Sequence, residues 1–251
     1  MNPDPRIHPS AIVHPGAELG ANVEVGPYCI VGSNVVLGEG CRLLSHVVIE
    51  GATHIGDDNV FHSFAAIGGT PQRRLKEGEV IETRGLRIGH RNVFRESVSV
   101  HVGTMNDTRI GNDVLLMAGT HVAHDAAVGS FVTIANGAQL AGHVIVEDYV
   151  TFGGLAGVAQ RLRVGESSFV AAGAMCERDV PPFVIAQGDR ARVRALNEVG
   201  LARRGVSKED IAALRTAFRA LFVSPRKPVP DPIANHVLVR RLAAFAPRAD
   251  S

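Results

Sequence analysis

The chain has 251 residues, a formal net charge of +1 and 45% hydrophobic residues. That length suffices for a sizeable core, and the charge balance gives no general attraction to nucleic acid or to an anionic membrane surface. No apolar run reaches the length of a membrane span, the opening Met-Asn-Pro-Asp-Pro-Arg lacks a signal peptide's apolar stretch, and three cysteines argue against a disulfide framework, so a cytosolic, cytoplasmic protein is expected.

From Ile7 an apolar residue recurs at every sixth position: Val13, Leu19, Val25, Val31, Leu37, Leu43, Ile49, Ile55, Phe61 and Ile67. The series resumes at Ile88, Phe94 and Val100, then runs from Ile110 through Val122, Leu140 and Val158 to Val170. A period of six belongs to neither an α-helix nor a simple alternating strand; it is the hexapeptide signature of a parallel β-helix. With each periodic residue taken as position i, position i+1 is often Gly (Gly20, Gly26, Gly38, Gly56) and i+4 is usually small or β-branched. Cys29 and Cys41 fall at i+4 and read as reduced core residues. Each hexad is expected to form one short strand pointing i inward, followed by a corner in which Gly supplies positive φ. Three hexads close a triangular coil of 18 residues, and coils stack about 4.8 Å apart.

Two interruptions break the count. Ile67 to Ile88 encloses a polar stretch, Gly69-Thr-Pro-Gln-Arg-Arg-Leu-Lys-Glu-Gly-Glu, read as a loop at about 69–87. Val100 to Ile110 is four residues too long and encloses Gly103-Thr-Met-Asn-Asp, read as a loop at 103–109. Loops thrown from a rigid repeat scaffold commonly carry binding groups. After Val170 the pattern fades, Val180-Pro-Pro-Phe breaks it, and the composition turns helical from about Asp189. Ser207-x-x-Asp210 resembles a capping box and precedes Ile211, Leu214, Phe218, Leu221 and Phe222 at helical spacing. Pro225 to Pro232 separates these from a last amphipathic segment, Ile233 to Phe245. The expected organisation is a β-helix over 1–188 and a helical C-terminal domain over 189–251.

The coil count also predicts a chemical site. Val122 and Leu140 stack in adjacent coils, so His124 lies beside Gly142 and Asp125 beside His143, while His101 falls one coil away on the same edge. A histidine can take a proton from an alcohol attacking a carbonyl. A neighbouring carboxylate can fix its tautomer, and a backbone N–H at a residue with no side chain can approach an oxyanion closely. No Ser or Cys nucleophile is placed beside His124, which favours direct transfer over an acyl-enzyme.

Five segments carry a resemblance: His121-Val-Ala-His-Asp125, Leu140-Ala-Gly-His143, Arg95-Glu-Ser-Val-Ser-Val-His101-x-Gly-Thr104, Asp179-Val-Pro-Pro-Phe-Val-Ile-Ala-Gln-Gly188 and Gly200-Leu-Ala-Arg-Arg-Gly205. In order and over nearly the whole chain, they resemble the UDP-N-acetylglucosamine O-acyltransferases of lipid A biosynthesis. The resemblance implies a left-handed parallel β-helix and a homotrimer with sites between neighbouring prisms. It also implies transfer of a 3-hydroxyacyl chain from the 4'-phosphopantetheine of acyl carrier protein to the 3-hydroxyl of UDP-N-acetylglucosamine, with no cofactor and no metal. On that pattern His124 is the general base, Asp125 its partner and Gly142 the oxyanion donor. His101, His121 and His143 line the sugar and pantetheine site. Gln72 and Lys76 of the first loop, with Gln160, Asn197, Arg203 and Arg204, contact substrate, and Ala172 belongs to the acyl-chain ruler.

The chain departs from the pattern in places. The family's Gln-Asp-Leu-Lys is here Gln72-Arg73-Arg74-Leu75-Lys76, an Arg is replaced by Val102, and a histidine by Ala159. Three alternatives therefore stand beside the main reading: acylation of a 3-amino sugar nucleotide, a zinc hydratase of the γ-carbonic-anhydrase type with His121, His124 and His143 as ligands, and a non-catalytic scaffold. The basic run Arg190, Arg192, Arg194, Arg203, Arg204 and Lys208 reads either as a solvated face or as a dock for acidic acyl carrier protein.

Overall fold

A computed structural model describes residues 4–72, 74, 76, 78–223 and 228–245. Strands of two to four residues recur once per hexad and stack into three parallel sheets, the faces of a triangular prism. The first face begins at Arg6–Ile7 and has 11 strands, the second begins at Ile12–Val13 and has 9, and the third begins at Glu18–Leu19 and has 8. Register follows the coil count: Arg6 pairs with Glu24 and Val122 with Leu140. Across the second interruption Val100 still pairs with Val122, so the extra residues leave the column intact. The periodic residues form the core; Val25, Leu43, Phe61, Phe94, Leu116, Ile134 and Phe152 are all buried, as are the free thiols Cys29 and Cys41. A chain tiled this way buries one periodic residue per hexad, three per coil, and each coil is stabilised chiefly by its two neighbours.

The structure corrects the expected role of the glycines. Left-handed backbone occurs at i+3, where Asn22, Tyr28, His46, Asp58, Phe64, Asp125 and His143 all have φ between 55° and 66°. The i+1 glycines are not in that region. They are required by the next coil's backbone: a Cβ on Gly26 would lie 1.6 Å from the Leu44 carbonyl oxygen, and one on Gly20 would lie 2.7 Å from Glu39 N. Many non-glycine residues accept an αL conformation costing of order 1 kcal/mol because coil-to-coil hydrogen bonding holds each corner. The first interruption is spliced by buried amides. Asn59 Nδ2 donates to the Gly56 and Gly89 carbonyls, and Asn92 N and Nδ2 both donate to Asn59 Oδ1, so two coils 33 residues apart stay in register.

The end of the prism also differs from expectation. Helix does not begin near Asp189. Val184–Gln187 adds a last parallel strand to the first face, and Arg192–Leu196 pairs antiparallel with it, closing the open sheet edge. Helix α1 (Glu198–Arg203) follows, then α2 (Lys208–Phe218), which a wider turn extends over Arg219–Val223. The Ser207 hydroxyl accepts from Asp210 N as the capping pattern predicts. The last amphipathic segment is two short helices, α3 (Asp231–Ala234) and α4 (Val237–Ala243), separated by a turn. Among the described residues no helix is long and apolar enough to cross a membrane.

Candidate active site

The second face carries the site. Its outward-pointing strand residues stack as His121, Gln139, Gly157 and Met175, paired coil by coil. Beside them runs a row of Ala123, Ala141 and Ala159, and beside that His124, Gly142 and Gln160. Together with Gln72 of the first loop, His101, Cys176 and Glu177, these rows line a groove of about 500 Å³.

At one end His124 Nδ1 lies 2.7 Å from Asp125 Oδ2. Asp125 is buried, its φ of 61° turning the carboxylate inward at a corner. The second loop folds over it: Thr104 Oγ1 donates at 2.7 Å, Met105 N at 2.8 Å and Asn106 N at 2.7 Å, with Thr104 N at 3.1 Å. Burial opposes the negative charge, but the bonds from Asn106, His124, Thr104 and Met105 outweigh it and hold the Asp125 carboxyl well below the usual carboxylate range. An ionised carboxylate only accepts, so the neutral tautomer of His124 has its proton on Nδ1 and its acceptor Nε2 facing the groove. Asp125 N donates to Thr108 Oγ1 at 2.8 Å, tying the same corner to the strand after the loop.

Gly142 abuts the other side of that imidazole. A Cβ there would sit 2.8 Å from both His124 Cε1 and Nε2. Among the described residues the Gly142 N–H meets no acceptor, whereas its carbonyl accepts from Arg161 N at 3.0 Å. A basic ring nitrogen and an open backbone donor therefore share one spot. His143 packs edge-on against His124 with ring centroids 5.2 Å apart, and its Nε2 lies 3.8 Å from Asp125 Oδ2. His101 and His121 form a second edge-on pair at 4.7 Å, with His121 Nδ1 2.8 Å from Ser99 Oγ. Burial, then the charges of His121 and His124, push His101 down to about 4; burial, then His124, lowers His121. Both rings are neutral near pH 7.

Asn197, Arg203 and Arg204 are not in this groove. They line a separate cavity on the first face, with Phe131, Tyr149, Thr151, Ser167 and Phe169. Asn197 caps α1 by accepting from Gly200 N at 3.1 Å and donates to the Ser167 carbonyl at 2.9 Å. Arg204 pairs with buried Glu166, donates to Ser167 Oγ at 2.6 Å and lies 4.0 Å above the Tyr149 ring. Arg203 is exposed at the cavity rim. Of the first loop, Gln72 reaches the groove, Lys76 is exposed outside its lining, and Arg73 and Leu75 lie outside the described residues. Val102 is buried and faces Gly51, and Ala159 leaves open floor where a larger side chain would stand. Ala172 is exposed at a corner, its backbone against Gly153, and is not part of the groove lining.

The three histidines weighed as zinc ligands do not converge. Among the described residues the group whose ligand atoms come together, within 4.8 Å, is His124, Asp125 and His143. His121 is turned to Ser99 and His101, and the Asp125 oxygens are already occupied by the loop. Sequence reasoning missed the residues that keep Asp125 charged, Thr104, Met105 and Asn106, and Thr108, which accepts from its backbone N–H. The available signal was the four-residue excess immediately before the Asp125 coil, with Gly103 in a turn so tight that a Cβ would lie 1.6 Å from the Asn106 carbonyl oxygen.

Comparison with known proteins agrees with the fold. Residues 179–245 match the family model described as UDP N-acetylglucosamine O-acyltransferase, domain 2, and residues 4–39 and 107–142 match the bacterial transferase hexapeptide repeat. The structure of LpxA from Acinetobacter baumannii is 36% identical with a TM-score of 0.85, covering 95% of each chain. The UDP-N-acetylglucosamine acyltransferase from Campylobacter jejuni is 33% identical with a TM-score of 0.86, covering 96% of this chain and 95% of that one. The Arabidopsis UDP-N-acetylglucosamine acyltransferase is 31% identical with a TM-score of 0.82, covering 95% of each chain. With the prism and the helical cap matched over 95% of the chain at 36% identity, the chain belongs to the UDP-N-acetylglucosamine O-acyltransferase family of enzymes.

Proposed function

We propose that the protein transfers a 3-hydroxyacyl chain from acyl carrier protein to the 3-hydroxyl of UDP-N-acetylglucosamine, the first step of lipid A biosynthesis, in the cytoplasm and with no cofactor of its own. The observation that carries the proposal is the His124 ring, held at Nδ1 by Asp125 and bordered at Nε2 by Gly142. In the reaction, Nε2 takes the proton of the sugar hydroxyl as its oxygen attacks the thioester carbonyl. The Gly142 N–H donates to the oxyanion, and Asp125 stabilises the imidazolium. Collapse of the tetrahedral species forms the ester and breaks the carbon–sulfur bond. The departing thiolate of the phosphopantetheine then takes the proton from Nε2, returning His124 to its starting state.

His101, His121, His143, Gln72 and Gln160 would hold the sugar around that hydroxyl by hydrogen bonds, together with Lys76 of the first loop. The cavity of Asn197, Arg203 and Arg204 stands on a different face. In a homotrimer of parallel prisms, one copy's first face meets its neighbour's second, and the arginines complete the site for the pyrophosphate. The test is incubation with UDP-N-acetylglucosamine and 3-hydroxyacyl carrier proteins, with products read by mass. A product heavier by one hydroxyacyl group, ester-linked and cleaved by mild base, supports the reading. Acylation of a 3-amino sugar nucleotide alone would replace it with amide formation.

A further inference from the structure

Three contacts fix the guanidinium of Arg204 at the wall of the first-face cavity. Nη1 donates to Ser167 Oγ at 2.6 Å, the same nitrogen pairs with Glu166 Oε1, and the central carbon lies 4.0 Å above the Tyr149 ring. Its Nε and Nη2 N–H groups meet no acceptor among the described residues. Glu166 is only 4% exposed, and its backbone is held on both sides: its N–H donates to Glu147 Oε2 at 2.8 Å and its carbonyl accepts from Phe183 N at 2.8 Å. Its second carboxylate oxygen pairs with Arg241 of α4. Arg241 Nη2 lies 3.3 Å from Glu147 Oε2, and Glu147 pairs in turn with Arg163. A row of alternating charge therefore runs from the first-face cavity, round the corner at Ser167, to the third face, with three guanidiniums to two carboxylates.

We propose that Glu166 is a positioning residue for the sugar nucleotide: backed by Arg241 of α4, it holds Arg204 in the orientation that offers its free N–H groups to the pyrophosphate. The inference rests on the reading above in which the cavity of Arg203 and Arg204 takes that pyrophosphate. A long, rotamer-rich side chain ordered only on binding lowers affinity by roughly 2- to 12-fold. Fixing Arg204 in the folded chain moves that entropic cost from binding to folding. A lone Glu166–Arg204 pair would be neutral and would offer an anion no net charge. Sharing Glu166 with Arg241 leaves the row with an excess positive charge, so Arg204 is held without losing its attraction for a phosphate. The flanking cations also let a buried carboxylate stand beside an anion site, where unpaired it would be strongly unfavourable.

The test is calorimetric titration of the full chain with UDP-N-acetylglucosamine, for wild type, Glu166→Gln, Arg241→Gln, Arg241→Lys, Arg204→Gln and the double variant Glu166→Gln/Arg204→Gln. Glu166→Gln should weaken binding about 3- to 10-fold. That direction opposes its charge change, because removing a carboxylate beside an anion site would by itself tighten binding. Arg241→Gln should weaken binding in the same way, and Arg241→Lys should retain most of the affinity. In the Arg204→Gln background, Glu166→Gln should alter affinity by less than about twofold, as expected of a residue acting through Arg204. Unchanged or tighter binding in Glu166→Gln, where Arg204→Gln binds weakly, overturns the inference and leaves the reading of the cavity standing. So does an equal loss from Glu166→Gln with and without Arg204. If Arg204→Gln binds as wild type does, or wild type does not bind the sugar nucleotide, the reading of the cavity falls and the inference with it. The Arg241 side chain is 45% exposed, so its variants should fold even if Glu166→Gln does not, and their affinities then decide the case.

Discussion

Replacing Gly142 with alanine separates catalysis from folding. The backbone of Gly142 lies outside the left-handed region, so alanine meets no conformational strain. Its methyl would sit 2.8 Å from His124 Cε1 and Nε2, and ordinary contact begins at 3.4 Å, so the ring must withdraw by about 0.6 Å. It cannot withdraw freely, because Nδ1 is held by Asp125, and Asp125 by three successive backbone N–H groups. The methyl also covers the N–H assigned to the oxyanion. A misplacement approaching 1 Å costs on the order of 10²-fold, and loss of an oxyanion donor costs about 10²–10³-fold. The two effects overlap at one spot, so the expected fall in kcat is roughly 10²–10³-fold, equivalent to about 3–4 kcal/mol. The assay is kcat and KM for acyl transfer together with the thermal midpoint, which should move little. Activity within tenfold of wild type, with the fold intact, would show that Nε2 and the Gly142 N–H are not used together.

Asp125→Asn should keep the fold yet lower kcat by roughly 10²–10⁴-fold. The amide NH₂ would face Nδ1 and force the proton onto Nε2, so neither raising the pH nor saturating with substrate should restore the rate. His101 gives a stability test. Its folded pKa is about 4, below the ordinary 6.5 of the unfolded chain, so between these values the unfolded state binds more protons. Stability should be flat above pH 6.5 and fall as pH drops towards 4, by up to ~3 kcal/mol from this group, with His121 acting in the same direction. Urea midpoints at a series of pH values should show a shallower slope for His101→Gln than for wild type; parallel curves would contradict the assignment.

The prism was legible in the sequence because a coil is a local count. Once Val122 and Leu140 are placed in register, His124, Gly142, Asp125 and His143 must share an edge. The same arithmetic could not show why i+1 is glycine, since the reason lies in the Leu44 carbonyl one coil away from Gly26. It could not show that an insertion supplies the N–H groups that keep Asp125 charged, because loop conformation is outside the repeat. Arg192–Leu196 was expected to be helical, yet its partner strand at the open end of the first face outweighs local propensity. Arg203 and Arg204 were expected to contact substrate in a site shared between neighbouring prisms, and within one chain they stand apart from the histidines. They lie on another face, and a single chain cannot bring the two cavities together.

The most direct measurement of the central claim is the turnover of His124→Ala against wild type with saturating UDP-N-acetylglucosamine and hydroxyacyl carrier protein. If Nε2 is the base for direct attack, kcat should fall by about 10²–10⁴-fold with the thermal midpoint little changed and no acylated protein detectable by mass in either form. A His124→Ala enzyme turning over within tenfold of wild type, or an acyl group found covalently on the wild-type chain, would contradict it.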